Sequence, residues 1–163
     1  MQNLAKIEGI VLLDKNGERI LANYNSNGEL DTLKKQLVFE KRIEDMLKSL
    51  PSEDNLTSFD NHIVLSKTYK DFYMILVADE SENELLLEEI LSALVDSVVY
   101  FCGKNIKLPV LFRYYTEIVL LFDEILNEGM LITIRSEDLI NKVLMKDKWG
   151  SKKSGSSRRG LFF

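Results

Sequence analysis

The sequence predicts a single α+β domain, a sheet with helices packed on it, in the element order ββαβββααα. Three features carry that expectation. Asn16-Gly17, a strong hairpin signal, stands between two short apolar runs. The stretch "FYMILVA", Phe72 to Ala78, is almost continuously apolar. Two long segments later in the chain carry apolar stripes at helical spacing.

Ile7 to Leu13 and Arg19 to Tyr24 are the first two strands, and a type I′ turn at Asn16-Gly17 joins them, because both residues tolerate positive φ. A calcium loop is excluded by spacing. Counted from Asp14, the sixth and twelfth positions hold Arg19 and Asn25, where an EF-hand needs Gly and Glu. After the polar loop Asn25 to Glu29, Asp31 to Leu50 reads as a helix. Phe39, Ile43, Met46, Leu47 and Leu50 share its core face, with Leu33 and Leu37 beside it. Pro51 ends it. Lys34, Lys35, Lys41, Arg42 and Lys48 make the opposite face basic. Such a face is ordinarily solvated; its other use is contact with acidic lipid or an acidic partner segment.

Leu56 to Phe59 is a short strand. Ile63 to Tyr69 and Phe72 to Ala78 form a second hairpin across Lys70-Asp71. A strand as apolar as the last is covered on both faces, which places it at the sheet centre. Ser81 and Glu84 then suggest a capping box for a helix that Gly103 closes. Leu87, Ile90, Leu94, Val98 and Phe101 are its stripe. Pro109 opens a helix to about Asn127, with Leu111, Tyr115, Ile118, Phe122 and Ile125 inward. Met130 to Ile134 is a short extended piece. Ser136 caps a last short helix to about Lys146.

The division is a domain over 1–147 and a basic, unstructured tail over 148–163. The tail carries five basic residues and no acidic one. Subtracting its charge from the net −5 leaves −10 on residues 1–147, the wrong sign for a nucleic-acid surface. The single cysteine, Cys102, allows no internal disulfide and suits a reducing compartment. Without a membrane-length apolar run or a signal-peptide core, the expectation is a soluble, cytoplasmic protein.

The search for chemistry returns little. His62 is expected at the surface of a turn and Cys102 as a buried small hydrophobe. No zinc spacing or phosphate-binding glycine loop exists, and no cofactor is expected. The pairs Glu88-Glu89, Asp123-Glu124 and Glu137-Asp138 are adjacent on helices and so do not face each other. "ENELLL", Glu82 to Leu87, fits an acidic dileucine pattern, but it opens a helix whose leucines enter the core. The last two long helices instead carry apolar surface on more than one side. Leu86, Val99, Tyr100, Tyr114, Val119 and Leu126 are candidates for a partner interface.

In order along the chain, "LLDKNGER" followed by "ILANY", then "FEKRI", "YKDFYMILVADESENELLL", "KN" and "LFDEI" resemble the zeta subunits of the coatomer (COPI) coat. The likeness runs from Ile7 to Lys146; that to the sigma subunits of clathrin adaptors is weaker. "IKLPVLFRYYTE" and "NEGMLITIRSED" depart from the zeta pattern. The resemblance implies a longin-like fold, a five-stranded, mostly antiparallel sheet with helices on both faces. It implies a non-catalytic subunit in obligate partnership with a gamma-COP-like large chain, alongside other coatomer subunits. An Arf-type GTPase would bring the complex to Golgi membranes, making membrane association indirect and the work Golgi-to-ER and intra-Golgi transport. The alternative is a sigma-type adaptor subunit that helps read cargo sorting signals. A longin-domain SNARE needs a heptad segment and an anchor, and neither follows Lys146.

Overall fold

The computed structural model describes residues 6–50, 55–127 and 135–154. Five strands, β1 (Ile7–Asp14), β2 (Arg19–Tyr24), β3 (Asn55–Phe59), β4 (His62–Thr68) and β5 (Phe72–Asp79), form one sheet in the order β2-β1-β5-β4-β3. Every pairing is antiparallel. The apolar strand β5 is central, as its composition predicts. Met74, Leu76 and Ala78 point to one core and Ile75 and Val77 to the other, all fully buried.

Helix α1 (Leu33–Ser49) covers one face of the sheet. Helices α2 (Glu84–Cys102), α3 (Leu108–Arg113), α4 (Tyr115–Asn127) and α5 (Ser136–Ser154) cover the other. The result is the expected three-layer arrangement. On the α1 side, Phe39, Ile43 and Leu47 pack on Val11, Leu13, Val64, Ile75 and Val77. The larger core lies under α2, α4 and α5, around Leu87, Ile90, Leu94, Leu121, Phe122 and Val143.

The turn chemistry differs from the expectation. Asn16 does not have positive φ; Gly17 does, at 82°. Gly17 N–H donates to Asp14 O and Asp14 N–H donates to Glu18 O, so Lys15, Asn16 and Gly17 form a three-residue loop between Asp14 and Glu18 that ends on a left-handed glycine. Asp14 Oδ1 secures it by accepting from the N–H groups of Asn16 and Glu18. The two-residue turn with both φ values positive is Asp60-Asn61, at 49° and 63°, which joins β3 to β4.

Helix boundaries also shift. The N-cap of α2 is Asn83, whose side chain accepts from Leu85 N–H, and Ser81 bonds Asp79 instead of capping the helix. Gly103, with φ 84°, closes α2 as predicted. The helix expected from Pro109 to Asn127 is two, because Tyr114 leaves helical geometry and its N–H is shared between Val110 O and Leu111 O. Asp71 Oδ2 accepts from Leu108 N–H, supplying from the β4–β5 turn a cap that Lys107 does not provide. Helix α5 runs to Ser154, past the predicted end at Lys146, so seven residues of the expected tail are helical. Met130–Ile134 and residues 155–163 lie outside the described residues.

Candidate partner interface

The described residues contain no group of three or more His, Cys, Asp or Glu side chains placed to hold a metal ion. Cys102 is half-buried, and burial, with the Glu117 carboxylate nearby, pushes its thiol up to about 11. That is the opposite of an activated nucleophile. His62 is not a surface residue. It is buried, its ring edge meets Phe39 at 5.2 Å between centroids, and Nε2 lies 3.6 Å from Glu29. Of the acidic pairs, Glu88 and Glu89 are both exposed. Asp123 accepts a hydrogen bond from Asn23 on β2, while Glu124 is buried and pairs with Lys142 and Lys146 of α5. These last two acids fasten α4 to its neighbours.

The apolar helix surface is more informative. Of the six residues predicted for a partner interface, Leu86, Val99 and Leu126 are half-buried and pack on the core, and Val119 is half-buried too. Tyr114 is half-buried and Tyr100 is 59% exposed. Two residues not singled out join Tyr100 outside: Phe112 is 54% and Tyr115 39% exposed. Phe101 links two of the tyrosines, its ring centroid 5.1 Å from Tyr100 and 6.4 Å from Tyr114. The junction of α2, α3 and α4 is thus an aromatic corner. Lys104, Lys107 and Arg113 accompany it, and no acidic residue lies between Asp96 and Glu117. Aromatic and arginine side chains of this kind anchor protein interfaces. Leu85 and Met145 are further exposed apolar residues on α2 and α5.

Four of the five basic residues on α1 are neutralised within the chain. Lys35 pairs with Asp31, Lys41 and Lys48 with the buried Glu44, and Arg42 with Asp60. Lys34 is exposed and lines a groove of about 370 Å³ beside Leu30, Val38, Phe39 and His62. Leu33 and Leu37, expected beside the core face, are exposed with Val38. On the sheet side of α1, Arg19 donates through Nε and Nη2 to the buried Glu40, and Tyr24 donates its hydroxyl to the same carboxylate. Burial and the Glu40 charge push the Tyr24 phenol up, which keeps it a donor.

The family model described as "Clathrin adaptor complex small chain" matches residues 6–150. The chain belongs to that family. Within it, this small chain is 28% identical over 145 residues to coatomer subunit zeta-1 of Oryza sativa subsp. japonica, covering 88% of this chain and 81% of the relative. It is 28% identical over 141 residues to human coatomer subunit zeta-2, covering 86% and 66%. It is 27% identical over 150 residues to coatomer subunit zeta of Saccharomyces cerevisiae (strain ATCC 204508 / S288c), covering 86% and 78%. Among structures, it resembles a chain in a homology model of the full-length AP-3 complex in a stretched open conformation. The TM-score is 0.64 at 16% identity, over 91% of this chain and 97% of that one, a likeness of fold.

Sequence reasoning missed Phe112, which lies off the predicted stripe, and directed Tyr115 inward along the stripe of Ile118, Phe122 and Ile125. Tyr115 keeps that register, but as the first residue of α4 it stands at the end of the stripe and stays 39% exposed.

Proposed function

We propose that the chain is the zeta-type small subunit of a coatomer (COPI) coat and pairs with a gamma-COP-like large chain through the aromatic corner at the α2–α3–α4 junction. The observation that carries this reading is the exposure of Tyr100, Phe112 and Tyr115 on one short segment that carries three basic residues and no acidic one. Large side chains left in water cost about 25 cal/mol per Å² of apolar surface, which a permanent companion chain recovers. Its similarity to coatomer zeta subunits of a plant, a yeast and human supports the choice of coat. Its part in the coat is to hold and shape a larger chain, with no bond made or broken by its own residues. Recruitment by an Arf-type GTPase then makes it peripheral on Golgi membranes and COPI vesicles.

The test is co-expression with the helical trunk of gamma-COP, followed by size-exclusion chromatography. The expected result is one stoichiometric complex, with the small chain recovered in lower yield when expressed alone. A stable monomer that ignores this trunk overturns the proposal. Recovery of adaptin large chains from cells reassigns the protein to the sigma type.

A further inference from the structure

Strand β3 ends the sheet, and among the described residues nothing pairs with its outer side. The opposite edge is protected: α4 packs on β2, and Asn23 bonds Asp123. The two-residue turn at Asp60-Asn61 makes Phe59 and His62 a hydrogen-bonded pair. Alternation then directs the N–H and C=O of Thr57 toward Val64. Those of Leu56 and Ser58 point outward, where among the described residues no further strand pairs with β3. The side chains of Leu56 and Ser58 lie on the sheet face that α2 covers, since Leu56 stands opposite Leu65 of that core.

Beside this edge is a cleft of about 340 Å³ between the sheet and α2. Leu56, Leu65, Leu91 and Val95 give it apolar walls, and Glu88 and Lys67 stand at its rim. Glu88, Leu91 and Val95 recur at i, i+3 and i+7, one stripe of α2, and Glu84 lies one turn earlier on that stripe. The cleft therefore has an acidic end at the start of α2.

We propose that β3 accepts an extended segment of a partner polypeptide as a sixth strand, with an apolar side chain of that segment in the cleft and a basic one against Glu88. Backbone hydrogen bonds to Leu56 and Ser58 hold the segment, and the cleft selects among alternate side chains. The neighbouring strand spacing of about 4.8 Å places those side chains over the cleft mouth. This inference is independent of which coat the chain serves. The aromatic corner lies on other residues and remains available when β3 is occupied.

The experiment uses the full chain, ¹⁵N-labelled, titrated with the capped peptide Lys-Thr-Leu-Thr-Val-Thr and followed by NMR. Saturable shifts are expected on residues 56–58 and 88–95. The same peptide N-methylated at the positions facing β3 should bind at least tenfold more weakly. Ser58→Pro removes only an outward N–H and should weaken binding tenfold with little change in melting. Glu88→Lys, at an exposed position of α2, should do the same and guards against a folding failure of the proline variant. Absence of saturable binding, shifts centred elsewhere, or affinity indifferent to N-methylation and to Glu88→Lys overturns the proposal. So does a concentration-dependent dimer of the free chain that pairs β3 with β3, because the occupant is then a second copy.

Discussion

Gly17 at the tip of the first hairpin lies directly beneath the carboxylate of Glu44 on α1: a Cβ built on Gly17 would stand 1.8 Å from Glu44 Oε2. The contact joins a turn at one end of the sheet to the helix covering its face. It also explains why only glycine suits the position twice over, once for φ and once for space.

Gly17→Ala is therefore expected to lower the melting temperature through two separable effects. The left-handed backbone costs about 1–2 kcal/mol for alanine. Displacement of Glu44 adds to it. In a Glu44→Ala background only the backbone part should remain, and thermal melts of the four proteins measure the difference. Equal losses in both backgrounds would show that Glu44 yields without cost.

Glu44 should also shape the acid limb of stability. Hydrogen bonds from Lys48 and then Lys41 outweigh burial and hold its carboxyl below the ordinary value of 4.5. A depressed folded value contributes stability above the unfolded pKa, which is lost as pH falls through the folded one. Glu44→Gln should accordingly be less stable than the parent at neutral pH. The gap should close as pH falls below about 4.5, and denaturant titrations at stepped pH would detect it.

Capping at α2 separates two serviceable sequence patterns. Asn83→Ala removes the acceptor for Leu85 N–H and should cost about 1 kcal/mol. Ser81→Ala leaves that bond intact and should cost less. A larger loss at Ser81 would restore the capping-box reading.

At the partner surface, Tyr100→Ala and Phe112→Ala should each weaken binding of the large chain by roughly 1–2 kcal/mol, as anchors do. Both residues are more than half exposed, so the melting temperature of the isolated chain should hardly move. Isothermal titration against the gamma-COP trunk, beside melts of the free variants, distinguishes an interface from a folding defect.

Much of the architecture was legible because it rests on strong local signals. "FYMILVA" is apolar on both alternating faces, and only a central strand buries both. The stripes of α2 and α4 likewise identify their buried sides. Turn geometry was harder, since Asn16-Gly17 satisfies a two-residue turn as readily as the three-residue turn it forms. The choice depends on register with β5, far away in sequence. His62 was misplaced for a related reason. The tight turn Asp60-Asn61 starts β4 at His62, and alternation then puts His62 on the side of Val64, under α1. "FDNH" held that signal without glycine to advertise it. The α1 wheel overstated the buried face because the first turn of the helix lies beyond the core, leaving Leu33 and Leu37 outside. It also treated the lysines as a free basic face, when Glu44, buried beside the Ile43–Leu47 stripe, engages Lys41 and Lys48. That Tyr100 stands outside the core was legible from the second apolar side of α2. The exposure of Phe112 and Tyr115 was not.

The strand order has a consequence for synthesis. The inner neighbour of β1 is β5, so Leu13 waits for Tyr73, sixty residues later, before its free side is paired. During that interval the nascent hairpin shows the ribosome exit and its chaperones a bare ladder flanked by Ile10, Val11, Leu12 and Leu13. Such edges invite wrong pairings at a rate that grows with the delay. A cell making this chain does best to supply holding factors early, and heterologous production should gain from uninterrupted, fast translation between residues 24 and 72.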